Sequence, residues 1–261
     1  MNELDALSVG EWWQYKYPFK HYRVTNPLTA GQYRSIAAAF SEILRGSVSN
    51  RTSTYKLKQS TANYDVEMLA MNAELAPRFQ PLFNSAWLKS IARFIGIPYT
   101  NRLDGALHSA PINSRTGWIH TDCCSAWFDT PTPASADAVI FADRTRCDYF
   151  SGAPRVPDAK PIEYVRAVTL LFYLCNDDWK PGDGGETGLY SAAKESARSR
   201  SELVPPHNNT LLIFECSPHS YHRFITNPGR RRNSIILWLH GTPEFVNSKW
   251  GAGAVHRIPR A

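Results

Sequence analysis

The clearest helical period in the chain begins at Thr29. There Thr29-Ala30-Gly31-Gln32 reads as a capping box, in which hydroxyl and amide side chains satisfy each other's exposed backbone donors. Tyr33, Ile36, Ala37, Phe40, Ile43 and Leu44 follow at three-to-four-residue spacing, and Gly46 is expected to end the helix. Before it, residues 1–25 are aromatic-rich without a single period, which predicts a packing arm ending in a short strand. After it, residues 47–62 are polar and rich in Ser and Thr, a loop or an edge hairpin. A second helix is predicted from Tyr64 to Leu75, stopped by Pro77. A third is predicted over Ser85–Ile95, with Leu88, Ile91, Ala92 and Ile95 on one face and Gly96 and Pro98 closing it.

From about residue 101 the pattern changes to short apolar or alternating runs punctuated by Gly, Pro and Asn. Strands are expected at Ala106–Ala110, Thr116–His120, Val165–Leu174, Thr187–Ser191, Thr210–Phe214 and Ser234–His240. Short strands after a helical block predict a mainly β protein, a sandwich or jelly roll braced by helices on one side. No internal repeat or linker calls for a second domain, so residues 1–261 are expected to form one unit. Its parts would be helical support over 1–100, a jelly-roll core over 101–245 and a tail over 246–261. A Pro-, Ala- and Asp-rich stretch over 129–162 interrupts the strands, and a loop of that length reads as a lid or as an insertion.

Composition narrows the class. The 261 residues include 43% apolar side chains, enough for a substantial core, and no apolar run approaches the length of a membrane span. The N-terminus has neither the basic nor the apolar segment of a secretory leader, so a cytoplasmic protein is expected. Five cysteines, an odd number with Cys123 and Cys124 adjacent, fit reduced thiols rather than a disulfide framework or a paired zinc motif. The net charge of +6 reads as a basic surface or an anionic small-molecule site. It lacks the long basic stripe or module that a nucleic-acid partner would require.

Candidate chemistry centres on Gly117-Trp118-Ile119-His120-Thr121-Asp122. If this stretch is a strand, His120 and Asp122, two apart, point to the same side and make half of a metal site. A second imidazole would complete the two-His, one-carboxylate set that suits non-haem Fe(II). The H-x-D triplet alone is weak, because a strand His is more often a hydrogen-bonded structural residue.

Two further blocks carry more information. Val165-Arg166-Ala167-Val168-Thr169-Leu170-Leu171-Phe172-Tyr173-Leu174-Cys175-Asn176 runs through Trp179 into Gly184-Gly185-Glu186. Thr210–Phe214 leads through Ser220-Tyr221-His222 to Arg232-Asn233-Ser234 and Trp238. Over residues 20 to 245 this arrangement resembles the prolyl-hydroxylase-like branch of the Fe(II)/2-oxoglutarate-dependent dioxygenases, whose R-x-x-T-x-x-x-Y-L-N strand, G-G-E turn, distal His and R-x-S strand occur in this order. Cys175, between the Leu and the Asn, departs from the pattern.

The resemblance implies a double-stranded β-helix (jelly roll) with an N-terminal helical layer, and Fe(II), 2-oxoglutarate and O2 as reactants. It implies iron ligands at His120, Asp122 and His222, with His219 as the rival for the last. It places the distal carboxylate of 2-oxoglutarate on Arg232, with Arg231 as the alternative, beside Ser234 and Tyr173. An Arg fork suits a bidentate carboxylate better than an ammonium. The carboxylate of Asp122 implies hydroxylation rather than halogenation, with desaturation or ring closure as variants. A small-molecule substrate is favoured over a prolyl residue in a protein. A non-catalytic jelly roll binding Zn(II) is the alternative outside enzymes.

The remaining conspicuous residues have bland readings beside the sharp ones. Cys124 is expected to be a small buried hydrophobe before it is a ligand. Trp118 is expected in the core rather than on a pocket wall, and His108, Ser109 and Asn113 are as suited to structural hydrogen bonds as to ligand contacts. Arg166 is expected to be structural. Gly182–Gly185 is a turn, because it lacks the Lys-Ser/Thr and helix of a phosphate cradle.

Overall fold

A computed structural model describes residues 9–48, 55–61, 64–129, 138–176, 178–194 and 201–256. The strands are β1 (Glu11–Tyr15), β2 (His21–Thr25), β3 (Lys58–Thr61), β4 (Tyr64–Ala70), β5 (Arg102–Ala110), β6 (Ser125–Phe128), β7 (Ile140–Phe141), β8 (Ile162–Tyr173), β9 (Thr187–Tyr190), β10 (Ser201–Val204), β11 (Thr210–Glu215), β12 (Tyr221–Phe224) and β13 (Arg232–Gly241). The helices are α1 (Ala30–Val48), α2 (Ser85–Ile95) and α3 (Pro243–Trp250), with a 3-10 turn at Ala76–Phe79. The larger sheet runs β1-β2-β11-β8-β13-β5-β4-β3, with β6 paired to β8 and β7 to β5, and a smaller sheet runs β10-β9-β12. This is the jelly-roll sandwich that the strand pattern predicted.

Strand alternation assigns the two faces of the larger sheet. On one, Leu103, Leu107, Leu170, Phe172, Ile235 and Leu237 pack with Ile36, Phe40 and Ile43 of α1 and Leu88, Ile91 and Ala92 of α2. On the other, Ala106, Leu171, Leu212, Phe214, Ile236 and Trp238 pack with Leu189 and Val204 from the smaller sheet. β8 lies between β11 and β13, and it is buried from Val165 to its end, as its unbroken apolar run requires.

The helix ends follow local chemistry. Thr29 N donates to Gln32 Oε1 at 3.0 Å and Gln32 N to Thr29 Oγ1 at 3.3 Å, the predicted capping box. Asn84 Oδ1 accepts from Ala86 N and Trp87 N at the start of α2, and Gly96 ends it with φ 86°, a left-handed value that glycine adopts without a Cβ penalty. Gly46 does not end α1, which continues to Val48.

One expectation is corrected: Tyr64–Ala70 is a strand, not a helix, because pairing with β5 outweighs an ambiguous apolar spacing. The N-terminal arm ends in the short strand β2, which pairs with β1 and joins the larger sheet beside β11. Residue 246 lies inside α3, and beyond that helix His256 N donates to Cys123 O at 3.0 Å.

Of the 129–162 stretch, residues 130–137 lie outside the described residues. From 138 onward it packs Ala142 and Tyr149 against Ala126 and Phe128. Among the described residues no helix is long and apolar enough to cross a membrane.

Candidate metal and dicarboxylate site

His120 is not on a regular strand as expected. It forms an isolated antiparallel bridge with His222, in which His120 N donates to His222 O at 3.1 Å and His222 N to His120 O at 2.8 Å. The pair brings the two rings to 4.4 Å between centroids. Residues 121–123 are irregular, yet Asp122 turns back toward both rings, and His120, Asp122 and His222 present ligand atoms within 4.8 Å of one another. Convergence comes from the bridge rather than from alternation along one strand.

Each imidazole is oriented by its own backbone. His120 Nδ1 lies 3.0 Å from Trp118 O and His222 Nδ1 3.1 Å from Ser220 O, which directs each Nε2 into the cluster, where that of His222 stands 3.4 Å from Asp122 Oδ2. Burial, then the neighbouring His222, lowers the pKa of His120 to about 4. For His222, burial is the largest influence and acts downward, but the charge and hydrogen bond of Asp122 outweigh it and the net shift is upward. For Asp122 burial acts upward and is outweighed by His222, Arg166 and His120, which hold the carboxyl well below its usual range.

The two oxygens of Asp122 are treated differently. Oδ2 accepts from Thr169 Oγ1 and from Trp238 Nε1, each at 2.8 Å. Oδ1 meets Arg166 Nη1 at 3.6 Å and His120 Nε2 at 3.8 Å, both beyond hydrogen-bond length. Two Nε2 lone pairs and one carboxylate oxygen without a short hydrogen bond are a donor set that fits a divalent transition metal.

Arg166 and Thr169 reach the same carboxylate although they are three apart. A register shift between Leu239 and His240 sets Val168 opposite Leu239 but Arg166 opposite His240, so a β-bulge at Ala167 changes the phase of the strand. Arg166 lies over the Trp238 ring at 3.7 Å.

β13 also carries a buried guanidinium, and His108 lies near enough to feel both it and Asp122. Arg230 pairs with Asp183 at 3.1 Å and Arg231 with Glu67 at 2.9 Å, whereas Arg232, 5% exposed, has no acidic partner among the described residues. Its Nη1 donates to Ser234 Oγ at 2.7 Å and its Nη2 to Thr187 Oγ1 at 3.1 Å, while its Nε has no partner. Tyr173 hydroxyl lies 2.8 Å from Thr187 Oγ1, and the guanidinium sits 5.1 Å from the Tyr173 ring. A buried cation with an orphaned donor is costly unless an anion joins it, so these residues fit a carboxylate.

His108, opposite Ser234 across the β5–β13 pairing, is buried with an unpartnered Nε2. Burial, then Arg232, lowers its pKa to about 3.

The structure thus brings together His120, Asp122 and His222, and separately Arg232, Ser234 and Tyr173. Elsewhere, His219 packs toward Trp250, with ring centroids 6.5 Å apart, and Arg231 donates to Glu67 and Ser109. Ser109 Oγ donates to Asn233 Oδ1 at 2.7 Å, a structural role, and Asn113 occupies a turn with φ 67°. Cys124 is buried outside the metal cluster, and its thiol is pushed up to about 11, chiefly by burial. Trp118 is a correction, since it is 58% exposed beside His120 rather than in the core.

Thr169, Thr187 and Trp238 were not singled out from sequence. Thr169 and Trp238 stood in the quoted motifs, but only the bulge shows that they share Asp122 with Arg166.

A jelly roll with two imidazoles and a carboxylate gathered beside a buried Arg has the layout of a non-haem metal enzyme. Residues 152–240 match the family model of the 2OG-Fe(II) oxygenase superfamily, a span that includes Tyr173, His222, Arg232 and Ser234 but begins after His120 and Asp122. In fold the chain is similar to a prolyl-4-hydroxylase from Pseudomonas putida, at 16% identity and TM-score 0.50 over 91% of this chain and 96% of that one. It is similar to a prolyl hydroxylase from Trichoplax adhaerens solved with a peptide fragment of hypoxia inducible factor, at 14% identity and TM-score 0.53 over 88% and 86%. The non-haem α-ketoglutarate-dependent carbocyclase SnoK of nogalamycin biosynthesis gives 12% and 0.50 over 92% and 89%. Residues 152–240 of the chain thus match a 2OG-Fe(II) oxygenase family, and its fold is similar to the double-stranded β-helix of the prolyl hydroxylases. The reactants of the matched family are Fe(II), 2-oxoglutarate and O2, and its class is dioxygenase.

Proposed function

We propose that the protein hydroxylates an unactivated C–H bond of a small molecule, such as an amino acid or a biosynthetic intermediate, while 2-oxoglutarate is converted to succinate. In this reading His120, Asp122 and His222 hold the iron, and Arg232, Ser234 and Tyr173 hold the distal carboxylate of 2-oxoglutarate. The observation that carries it is Arg232, a buried guanidinium with an unpartnered Nε and no acidic partner among the described residues, in a chain that also gathers a ready donor set for a metal.

Bound iron would supply the redox chemistry that couples decarboxylation of the oxo acid to oxygenation of the substrate. The protein's part is positioning. Trp118 O and Ser220 O keep both Nε2 atoms directed inward, Thr169 and Trp238 occupy Oδ2 of Asp122 so that Oδ1 is the oxygen presented, and Ser234 and Thr187 hold the Arg232 fork flat. Asp122 and His222 are buried, whereas the His120 side chain is 38% exposed, which makes the His120–Trp118 side the approach for substrate.

The fold relatives include enzymes named for prolyl residues and one named for a biosynthetic carbocycle, so the second reading is protein prolyl hydroxylation. Succinate formation, followed by mass spectrometry with Fe(II) and 2-oxoglutarate, distinguishes the two. Stimulation by a metabolite extract is expected, and stimulation by a peptide library alone would overturn the small-molecule reading.

A further inference from the structure

The 138–161 segment sends one side chain into a buried polar cluster. Tyr149 is 2% exposed, and its hydroxyl accepts from Arg166 Nε at 3.0 Å and lies 2.9 Å from His240 Nε2. His240 Nδ1 lies 3.1 Å from Arg102 O, so a proton on Nδ1 leaves Nε2 to accept the phenolic hydrogen. The chain of donors therefore has one direction, from Arg166 to Tyr149 to His240 to the Arg102 carbonyl.

Around it, Arg144 Nη2 donates to both oxygens of Asp104, at 3.1 and 2.9 Å, and Arg166 Nη2 stands 3.9 Å from the same carboxylate. Asp104 is 1% and Arg166 5% exposed.

The distances around Arg166 are informative. Its only short side-chain hydrogen bond among those to Asp104, Asp122 and Tyr149 is the one to Tyr149, while Asp122 Oδ1 stays at 3.6 Å. A guanidinium free to move 0.5–1 Å would form a direct charge-assisted bond to Oδ1 and take the lone pair that a metal needs. Anchored at Nε and seated on Trp238, it stays near enough to favour the carboxylate and too far to capture it.

We propose that Tyr149 is a positioning residue for Asp122, acting through Arg166, so that metal affinity depends on the docked insertion. The inference rests on the reading of His120, Asp122 and His222 as metal ligands.

The test uses the full chain and Co(II), whose visible bands report coordination directly. Tyr149→Phe removes one oxygen and keeps the ring. It is expected to weaken Co(II) binding about tenfold, the lower end of what loss of a ligand-supporting group costs, and to alter the Co(II) band shape while the fold persists. Asp148→Asn loosens the adjacent surface turn, where Asp148 accepts from Phe150 N and Ser151 N, but keeps the phenol. It is expected to leave Co(II) affinity within twofold of wild type.

Because coupling is reciprocal, Co(II) should also slow amide exchange over residues 143–152 of the wild type. Unchanged Co(II) affinity in Tyr149→Phe, equal losses in Tyr149→Phe and Asp148→Asn, or no change in exchange would each overturn the proposal. Failure of the underlying ligand reading would look different, since Asp122→Asn would then bind Co(II) as well as wild type.

Discussion

At the scale of single residues the site is defined by what each polar atom lacks. Arg232 keeps Nε unpaired in a buried setting, and a cation in that condition is a liability to the ligand-free fold. Arg232→Met should therefore leave the unfolding midpoint of the ligand-free protein unchanged or raised, whereas loss of an ordinary buried ion-pair partner lowers it; thermal denaturation checks the sign. Trp238 Nε1 and Thr169 Oγ1 share Oδ2 of Asp122. Trp238→Phe keeps the ring under Arg166 and removes one donor, so Fe(II) affinity should fall by about tenfold or more, measured anaerobically against a competing chelator.

His120, Asp122 and His222 present ligand atoms within 4.8 Å of one another, and Arg232 donates to Ser234. What a motif could not convey was which oxygen of Asp122 is engaged, because that depends on contacts between strands far apart in sequence.

At the scale of elements, the most legible were those with local signals. The Thr29–Gln32 capping box and the Asn84 and Gly96 ends of α2 need only neighbouring residues, and they form as expected. The strand β4 was read as a helix because its apolar positions fit either period, and pairing with β5 decides between them. Thr116–His120 reads as a strand, yet it is held by the bridge of His120 to His222, a hundred residues away, and by Gly117 N donating to Phe224 O at 2.9 Å.

The Gly182–Gly185 turn was legible, and the structure shows how tightly it is held. A Cβ on Gly184, at φ +74°, would stand 2.0 Å from Thr226 O. Gly184→Ala should therefore destabilise the protein by about 2 kcal/mol or more and lower the melting temperature by several degrees, since backbone rather than a flexible side chain would have to move. A melting temperature within a degree of wild type would contradict that packing.

At the scale of the whole molecule, the jelly roll packs helices on one face of its larger sheet, and it buries His108 and His240 in neutral form. Burial lowers both His108 and His240 to about 3. An unfolded chain protonates them near 6.5, so below that pH the unfolded state takes up protons that the folded state refuses. Stability should accordingly fall as the pH drops from about 6.5 toward 3, with a limiting slope of about 1.4 kcal/mol per pH unit for each residue. Urea unfolding of the metal-free protein at pH 7 and pH 5.5 checks this, and equal stabilities at the two values would contradict it.

The central claim is that one guanidinium and one triad act as a single site. Calorimetric titration of the Fe(II)-loaded protein with 2-oxoglutarate, without oxygen, tests it most directly. The account predicts saturable binding in the wild type, accompanied by a weak visible charge-transfer band, and a loss of affinity on the order of a hundredfold in Arg232→Met with Fe(II) still bound. Binding of 2-oxoglutarate that is unchanged in Arg232→Met would contradict it.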